Sequence, residues 1–235
     1  MIPEALAGTD PEFVDNAGRF VTEVDTHSAL DERARWLVRL AALIACQGRG
    51  LFPDLAAEAL NRALTPVELK EVLYHAVPYL GLGKVYDFLT MANEVLGARG
   101  VMLPLPGQST TTPETRFAQG WEAQARIVGA DRLEAMHADA DEETRHIQEW
   151  LTANCFGDHY TRSGLDLETR ELLTFVLLVA HGGCDSQVRA HVAGNLRLGT
   201  PRAVLIDAIS LLVPLICYPR MLNALAAINE VAPAE

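Results

Sequence analysis

The chain has 235 residues, of which 49% are apolar and 21% are charged, a composition typical of an ordered globular protein. Its 19 Lys and Arg residues are outnumbered by 31 Asp and Glu residues, which gives a net charge of −12. This excess of negative charge argues against partners that bind a basic face, namely nucleic acids and anionic membranes.

Helical periodicity dominates the first hundred residues. The runs 33–46, 53–64 and 66–80 place apolar residues three and four positions apart, which indicates amphipathic helices. Alternation with a period of two, the pattern of a half-buried strand, is not sustained over any convincing length. The sequence therefore predicts an all-α fold.

Two parts of the chain resemble each other. LDERAR at 30–35 matches LDLETR at 165–170, and EVLYHAVP at 71–78 matches DAISLLVP at 207–214. A unit of helix, hairpin turn, helix, loop and helix thus occurs twice. Because neither copy can bury its apolar faces alone, we expect a tandem duplication packed as one pseudo-symmetric domain.

These matches divide the chain into four parts. An N-terminal extension covers residues 1–22, the first repeat 23–98, a linker with connecting helices 99–164, and the second repeat 165–235. The linker begins with a stretch rich in Pro, Gly and Thr, which indicates a connector that runs over the surface.

A few local signals mark helix boundaries. Thr65-Pro66 and Thr200-Pro201 each offer an N-cap followed by proline at the first helical position, so a helix is expected to start at each. Within the linker, helices are expected at about 113–128 and 140–152, and the FGD sequence at 156–158 is expected to end them.

The second repeat carries reactive residue types around a predicted helical hairpin. Gly182-Gly183 can end one helix in a left-handed C-cap, and Asp185 or Ser186 can cap the next. Counted from this turn at about 1.5 Å per residue, Glu171 lies about 17 Å along one arm and His191 about 12 Å along the other. The two side chains are within reach, directly or through a water, and form a candidate acid–base pair.

Cys184 lies at the start of the second arm, where the helix dipole favours a thiolate, although the neighbouring Asp185 opposes it. Seven residues, or about 10 Å, separate it from His191, so a direct thiol–imidazole contact is doubtful. Gln187, one turn before His191, is the expected neighbour of the imidazole.

Each of these residues also has a structural interpretation. Cys184 can be a small buried apolar side chain, Glu171 a first-turn carboxylate that complements the helix dipole, and His191 a hydrogen-bonded core histidine. His75 and His181 are interpreted as structural.

The segment GGCDSQVRAHV at 182–192, followed by GNLRLG at 194–199, resembles the second-helix signature of the carboxymuconolactone decarboxylase family. The resemblance extends over both repeats and the linker. It implies the all-helical fold that this family shares with the alkylhydroperoxidase (AhpD)-like proteins. The activity that names the family is the cofactor-free decarboxylation of a γ-lactone acid.

The resemblance implies a polar site formed by Glu171, Cys184 and His191. The first repeat has other residue types at the equivalent positions, namely Trp36, Gly48 and Leu55. It is therefore expected to act as a structural partner without a polar site of its own.

Two positions depart from the relatives. The alkylhydroperoxidase-like proteins use a C-x-x-C pair, and Gln187 stands where the second cysteine would be, so a disulfide cycle within this motif is impossible. Cys217 stands where relatives tend to have glycine.

The leading hypothesis is a cofactor-independent lyase or isomerase that acts on a small lactone or a cyclic unsaturated carboxylate. Electrons left by departing CO₂ or by an abstracted proton would flow into a conjugated carbonyl, so the hypothesis needs neither a metal nor an organic cofactor. His191 would move the proton and Glu171 would orient it, while Cys184 or Gln187 would line the pocket. Tyr218 and Arg220 are candidate substrate-binding residues, and Arg220 would anchor a carboxylate.

Two alternatives stay open. The chain could be a thiol-dependent peroxidase or reductase in which Cys184 pairs with a distant cysteine such as Cys155, or a non-catalytic ligand-binding or assembly protein. Single-repeat relatives assemble as hexamers of paired subunits, so the resemblance implies a homotrimer. The absence of a secretory signal and of a long apolar segment predicts a soluble cytoplasmic protein.

Overall fold

The computed structural model describes residues 6–233, and between these residues the chain forms helices and no strand. The prediction of an all-α fold is therefore confirmed. The helices are α1 (Pro11–His27), α2 (Glu32–Ala45), α3 (Phe52–Arg62), α4 (Pro66–Leu80), α5 (Leu82–Ala98), α6 (Arg116–Val128), α7 (Ala130–Ala138), α8 (Arg145–Trp150), the π-helix π1 (Leu151–Tyr160), α9 (Leu167–His181), α10 (Asp185–Arg197), α11 (Arg202–Ile216) and α12 (Tyr218–Val231). None of these helices is both long and apolar enough to cross a membrane.

The two repeats share one apolar core. Helix α2 of the first repeat packs against α9 of the second, and buried side chains from both repeats belong to one continuous cluster. Helix α4 also packs on α9, and α11 packs on α2. The expected packing of a tandem duplication as one pseudo-symmetric unit is confirmed, because the third helix of each repeat covers the first helix of the other.

Hydrogen bonds between the two repeats follow the same reciprocal pattern. The Asp207 carboxylate on α11 accepts hydrogen bonds from the backbone amides of Ala29 and Leu30, at 2.6 and 3.0 Å, just before α2. Its counterpart Glu71 on α4 accepts a hydrogen bond from Arg170 at the start of α9, at 2.8 Å. Each carboxylate therefore secures the beginning of the other repeat's first helix.

The N-caps of equivalent helices in the two repeats match at the first helix and differ at the third. Asp31 and Asp166 cap α2 and α9 by accepting a hydrogen bond from the third amide of the helix. Thr65 caps α4 in a capping box with Glu68. The expected start at Thr200 is displaced by one residue, since Pro201 is the N-cap of α11 and no side chain caps it. The sequence there has no glutamate three positions on to complete the box.

The linker differs from the expected pattern. Helix α7 was not predicted, and the prediction that FGD ends the helices is wrong, because Gly157 lies inside π1. A Cβ on Gly157 would lie 2.1 Å from the carbonyl oxygen of Arg116, and one on Gly120 would lie 2.1 Å from that of Thr152. Gly157 therefore permits close backbone contact between π1 and α6 and does not end the helix. At the other end of the chain, α1 runs through the expected boundary between the extension and the first repeat.

Candidate functional site

The two arms of the α9–α10 hairpin bring Glu171 and His191 into direct contact. The Nδ1 atom of His191 lies 2.7 Å from Oε1 of Glu171. Glu171 is fully buried, whereas 16% of the His191 side chain is exposed. The carboxylate therefore forms the inner member of the pair and the imidazole the outer one.

Glu171 also contacts a chain of hydroxyl groups that was not predicted from the sequence. This hydroxyl cluster is formed by Tyr160, Tyr79 and Thr174. The Tyr160 hydroxyl donates to Oε2 of Glu171 at 2.8 Å and accepts a hydrogen bond from Tyr79 at 2.9 Å. The Cys155 thiol donates in turn to the Tyr79 hydroxyl at 3.4 Å. These contacts join α4, π1 and α9 around one carboxylate.

The direction of every bond in this cluster follows from the number of protons available. Tyr160 donates its single hydroxyl proton to Glu171. The Thr174 hydroxyl, 2.6 Å from the Tyr160 hydroxyl, must therefore donate to Tyr160. Nε2 of His75 contacts both Thr174 and the Arg170 carbonyl at 2.9 Å, and a carbonyl only accepts, so this nitrogen carries a proton. Tyr79 and Thr174 thus both donate to Tyr160, which donates to Glu171.

Burial sets the protonation of the surrounding groups. It raises the pKa of Tyr79 and Tyr160 well above the ordinary value of a phenol, and the nearby Cys155 and Glu171 add to the effect. Burial also raises the pKa of the Cys155 thiol to about 12 and lowers that of His75 well below the usual range for histidine. The cluster therefore holds neutral donors around neutral pH.

The hairpin is shaped to hold the pair. The Asn195 side chain is fully buried and donates to the backbone carbonyls of Glu171 and His191, at 3.0 and 2.8 Å, which ties the two arms together. Gly194 makes room for the carboxylate, because a Cβ there would lie 2.3 Å from Oε1 of Glu171 and 2.8 Å from Ile127.

This geometry determines which nitrogen of His191 is available. With Oε1 of Glu171 accepting at Nδ1, the neutral imidazole carries its proton on Nδ1 and leaves Nε2 as a proton acceptor. The half-buried ring of Tyr79 packs edge-on against the imidazole, with 6.0 Å between ring centroids. The arrangement can accept and return one proton at Nε2.

The other predicted site residues lie elsewhere. Cys184 lies at the hairpin turn, and its thiol donates to the Gly182 carbonyl at 3.5 Å. Arg220 donates to the carbonyl of Ala180 and lies over Gly182. Cys184, Arg220 and His181 line a recess of about 210 Å³. Ala180 is nine residues from Glu171, or about 14 Å along α9, so Arg220 does not reach the Glu171–His191 pair.

Gln187 and Tyr218 are exposed. The side-chain oxygen of Gln187 accepts a hydrogen bond from Ser186 at 2.8 Å and the residue points to solvent. The Tyr218 ring packs 6.2 Å from Phe20 of α1, and 56% of the residue is exposed. The structure therefore places both outside the hydroxyl cluster.

The first repeat contributes to the cluster although its own aligned positions lack polar chemistry. Tyr79 and His75 come from α4, and Tyr160 comes from π1. No spacing along the chain relates these residues to Glu171, since helix packing brings them together. Gly194 and Asn195, by contrast, lie in the GNLRLG segment, and that motif was the available signal for them.

Among residues 6–233, no group of three or more His, Cys, Asp or Glu side chains is arranged to hold a metal ion. Comparison with curated proteins gave no match. The family model described as the carboxymuconolactone decarboxylase family matches residues 11–94 and again residues 145–230. The two matches cover most of the chain and correspond to the two helical repeats that share the core. The chain therefore belongs to the carboxymuconolactone decarboxylase family, as a member with two repeats.

Proposed function

We propose that this protein is a cofactor-independent lyase or isomerase that acts on a small lactone or cyclic unsaturated carboxylate through His191 and Glu171. The observation that carries the proposal is the 2.7 Å contact between a fully buried carboxylate and a partly exposed imidazole. A buried carboxylate that orients a histidine and balances its charge is the arrangement that proton transfer to and from carbon requires.

In the decarboxylation form of the reaction, the bond to the departing carboxylate breaks and its electron pair moves into a conjugated carbonyl as an enolate. Protonated His191 then delivers the Nε2 proton to carbon, and Glu171 stabilises the imidazolium before that transfer. In the isomerisation form, neutral His191 takes a proton from one carbon and returns it to another. The isomerisation form leaves the enzyme unchanged, whereas after decarboxylation neutral His191 takes up one proton from solvent before the next cycle.

Tyr160 and Tyr79 are positioning residues in this proposal. Their hydroxyls lie behind Glu171 and donate toward it, so they hold the carboxylate at the imidazole without competing for the substrate. Burial raises the pKa of both phenols, which keeps them as donors throughout the cycle.

The test follows substrate loss spectrophotometrically for wild type and His191→Ala over a panel of unsaturated lactone acids. We expect His191→Ala to lose at least about a hundredfold in rate on any substrate that wild type converts. His181→Ala is the matched control, because His181 lies at the far end of α9 and bonds to Lys84 at 3.2 Å. Equal rates for wild type and His191→Ala would remove His191 from the mechanism.

The thiol-dependent alternative meets an obstacle at its suggested second cysteine. The Cys155 thiol is buried, has a pKa of about 12 and donates to Tyr79, so it is a poor partner for a disulfide with Cys184. Mass spectrometry after mild peroxide treatment tests this alternative. A sulfenate or disulfide at Cys184, together with turnover that Cys184→Ala abolishes, would replace the acid–base proposal.

We also propose that the chain assembles as a homotrimer, in which each two-repeat chain replaces a pair of single-repeat subunits. Large exposed apolar side chains support an assembly, including Leu82, Tyr86 and Trp150, which are 59%, 62% and 64% exposed. Sedimentation equilibrium should give three times the chain mass of 25.6 kDa. A monomer would contradict this proposal and leave the acid–base proposal standing.

A further inference from the structure

A polar cavity lies beside α4. It has a volume of about 440 Å³ and is lined by α4, Asn93 of α5, Arg162 just after π1, and the linker segment 103–108. Ser163 holds this linker segment in place, since its amide donates to the Gln108 carbonyl at 3.0 Å and its hydroxyl to the Gln108 side chain at 2.8 Å. The volume suits a small organic molecule.

Lys70 is a cation in the cavity lining that uses only part of its hydrogen-bonding capacity. The residue is 8% exposed, and its ammonium group donates to Asn93 at 2.9 Å. An ammonium has three protons to donate, so the bond to Asn93 leaves capacity for a further acceptor. Burial lowers the pKa of Lys70.

The charge around the cavity is positive although the whole chain carries −12. Glu71 is the acidic residue among those that line it, and Arg162 and Arg170 both bind that carboxylate, at 2.7 and 2.8 Å. The cavity lining itself therefore contains two cations, Lys70 and Arg162, and one carboxylate. This leaves one net positive charge that attracts an added anion.

The rest of the lining is suited to a flat apolar body. The Tyr74 ring supplies an aromatic surface near two cations, with Lys70 Nζ at 5.3 Å and the Arg162 guanidinium at 5.0 Å from its centroid. Leu103 and Leu105 of the linker form part of the opposite wall. The pocket thus combines an aromatic face, an aliphatic wall and an incompletely bonded cation.

The second repeat does not reproduce these features. In the alignment of the two repeats, Ile206 takes the place of Lys70 and Ser210 that of Tyr74. The cavity is therefore a property of the first repeat, which lacks the Glu171–His191 pair. Lys70 is also nine residues, or about 13 Å along α4, from Tyr79 of the hydroxyl cluster.

We propose that this cavity is a separate binding site for a small organic carboxylate with one negative charge and a planar apolar body, whose carboxylate bonds to Lys70 and whose body lies against Tyr74. The proposal does not depend on the acid–base chemistry of His191.

The chain contains two lysines, Lys70 and Lys84, which allows a direct test in solution. Protein labelled with carbon-13 at the lysine ε position gives one NMR signal for each. Benzoate is the probe, and uncharged benzamide is its matched control. We expect benzoate to shift the Lys70 signal with saturation and to leave the Lys84 signal in place, while benzamide at the same concentrations shifts neither.

Variants supply the second measurement. By calorimetry, Lys70→Met should weaken benzoate binding at least about tenfold, because methionine keeps the aliphatic stem and loses the charge. Lys84→Met should bind benzoate as wild type does. The proposal is overturned if benzamide shifts Lys70 as benzoate does, if inorganic phosphate binds as tightly as benzoate, or if both lysine signals move without saturating.

Discussion

Gly194 lies against the carboxylate of Glu171, so closely that a single added methyl group would occupy the position of Oε1. The distance from an ideal Cβ at 194 to Oε1 is 2.3 Å, and Glu171 cannot move aside freely because His191 and Tyr160 both bind it. Because Gly194 on α10 has no side chain, the Glu171 carboxylate on α9 can occupy this space.

Gly194→Ala should consequently destabilise the protein, although glycine to alanine within a helix normally adds about 0.5–1 kcal/mol of stability. We expect a loss of about 1–3 kcal/mol in the free energy of unfolding, from overpacking against Glu171 and Ile127. Urea denaturation measures it. Gly97→Ala on α5 is the control, since a Cβ there meets nothing within 4 Å, and it should be neutral or stabilising. Stabilisation by both variants would show that the contact is loose.

Tyr160→Phe should cost about 1–3 kcal/mol in the free energy of unfolding, because it leaves Oε2 of Glu171 buried without its donor. Chemical denaturation of the variant gives the value. Tyr86→Phe removes a hydroxyl from a residue that is 62% exposed and should change stability by less than about 0.5 kcal/mol. If the two variants behave alike, the Tyr160 hydroxyl does not support Glu171.

Glu71→Gln should destabilise the protein by about 3–5 kcal/mol near neutral pH, because it leaves Arg170 buried beside an uncharged partner. Burial opposes ionisation of Glu71, but the hydrogen bonds from Arg162 and Arg170 outweigh it and lower its pKa below the ordinary 4.5.

The pH dependence of this variant has a definite sign. Since the folded-state pKa of Glu71 is depressed, its contribution is present above about pH 4.5 and is lost as the pH falls through the lower folded-state value. The stability difference between wild type and Glu71→Gln should therefore shrink below pH 4.5. Denaturation at a series of pH values measures it, with exposed Glu94→Gln as the control. A difference that grows as the pH falls would contradict the assignment.

Cys217→Gly should stabilise the protein by about 1 kcal/mol. Cys217 has φ of 72° and ψ of 163°, a region that is populated almost entirely by glycine and costs other residues about 1–3 kcal/mol. The equivalent position of the first repeat is Gly81, with φ of 79° and ψ of 150°. The reciprocal change Gly81→Ala should be destabilising by a similar amount, and thermal unfolding compares the two. A destabilised Cys217→Gly would mean that the thiol makes a contact worth more than the strain.

The positive φ at Cys217 belongs to a corner that both repeats share. Both repeats turn directly from their third helix into their fourth, through Gly81 in one case and Cys217 in the other. This corner has a positive φ in each repeat, a conformation that favours glycine.

Periodicity and repetition were sufficient to predict the fold class and the pairing of the repeats. Apolar residues spaced three and four apart form helices in almost any surroundings, and two matching segments share a core because neither can bury its face alone. The glycine pair at 182–183 and the residue count along each arm likewise placed Glu171 and His191 within reach, because helix rise is a local property. The break expected at 156–158 was wrong because the role of Gly157 is a contact with α6, which local sequence does not report.

The sequence by itself thus determined the all-α class, the duplication and the carboxylate–imidazole pair, which follow from residue spacing and from the repetition of segments. The tertiary structure alone decided what surrounds that pair. Tyr79 and Tyr160 lie 92 and 11 residues from Glu171 and meet it through the packing of π1 on α4 and of α4 on α9. The tertiary structure also separated Arg220 from the pair, because Arg220 binds the carbonyl of Ala180, about 14 Å along α9 from Glu171.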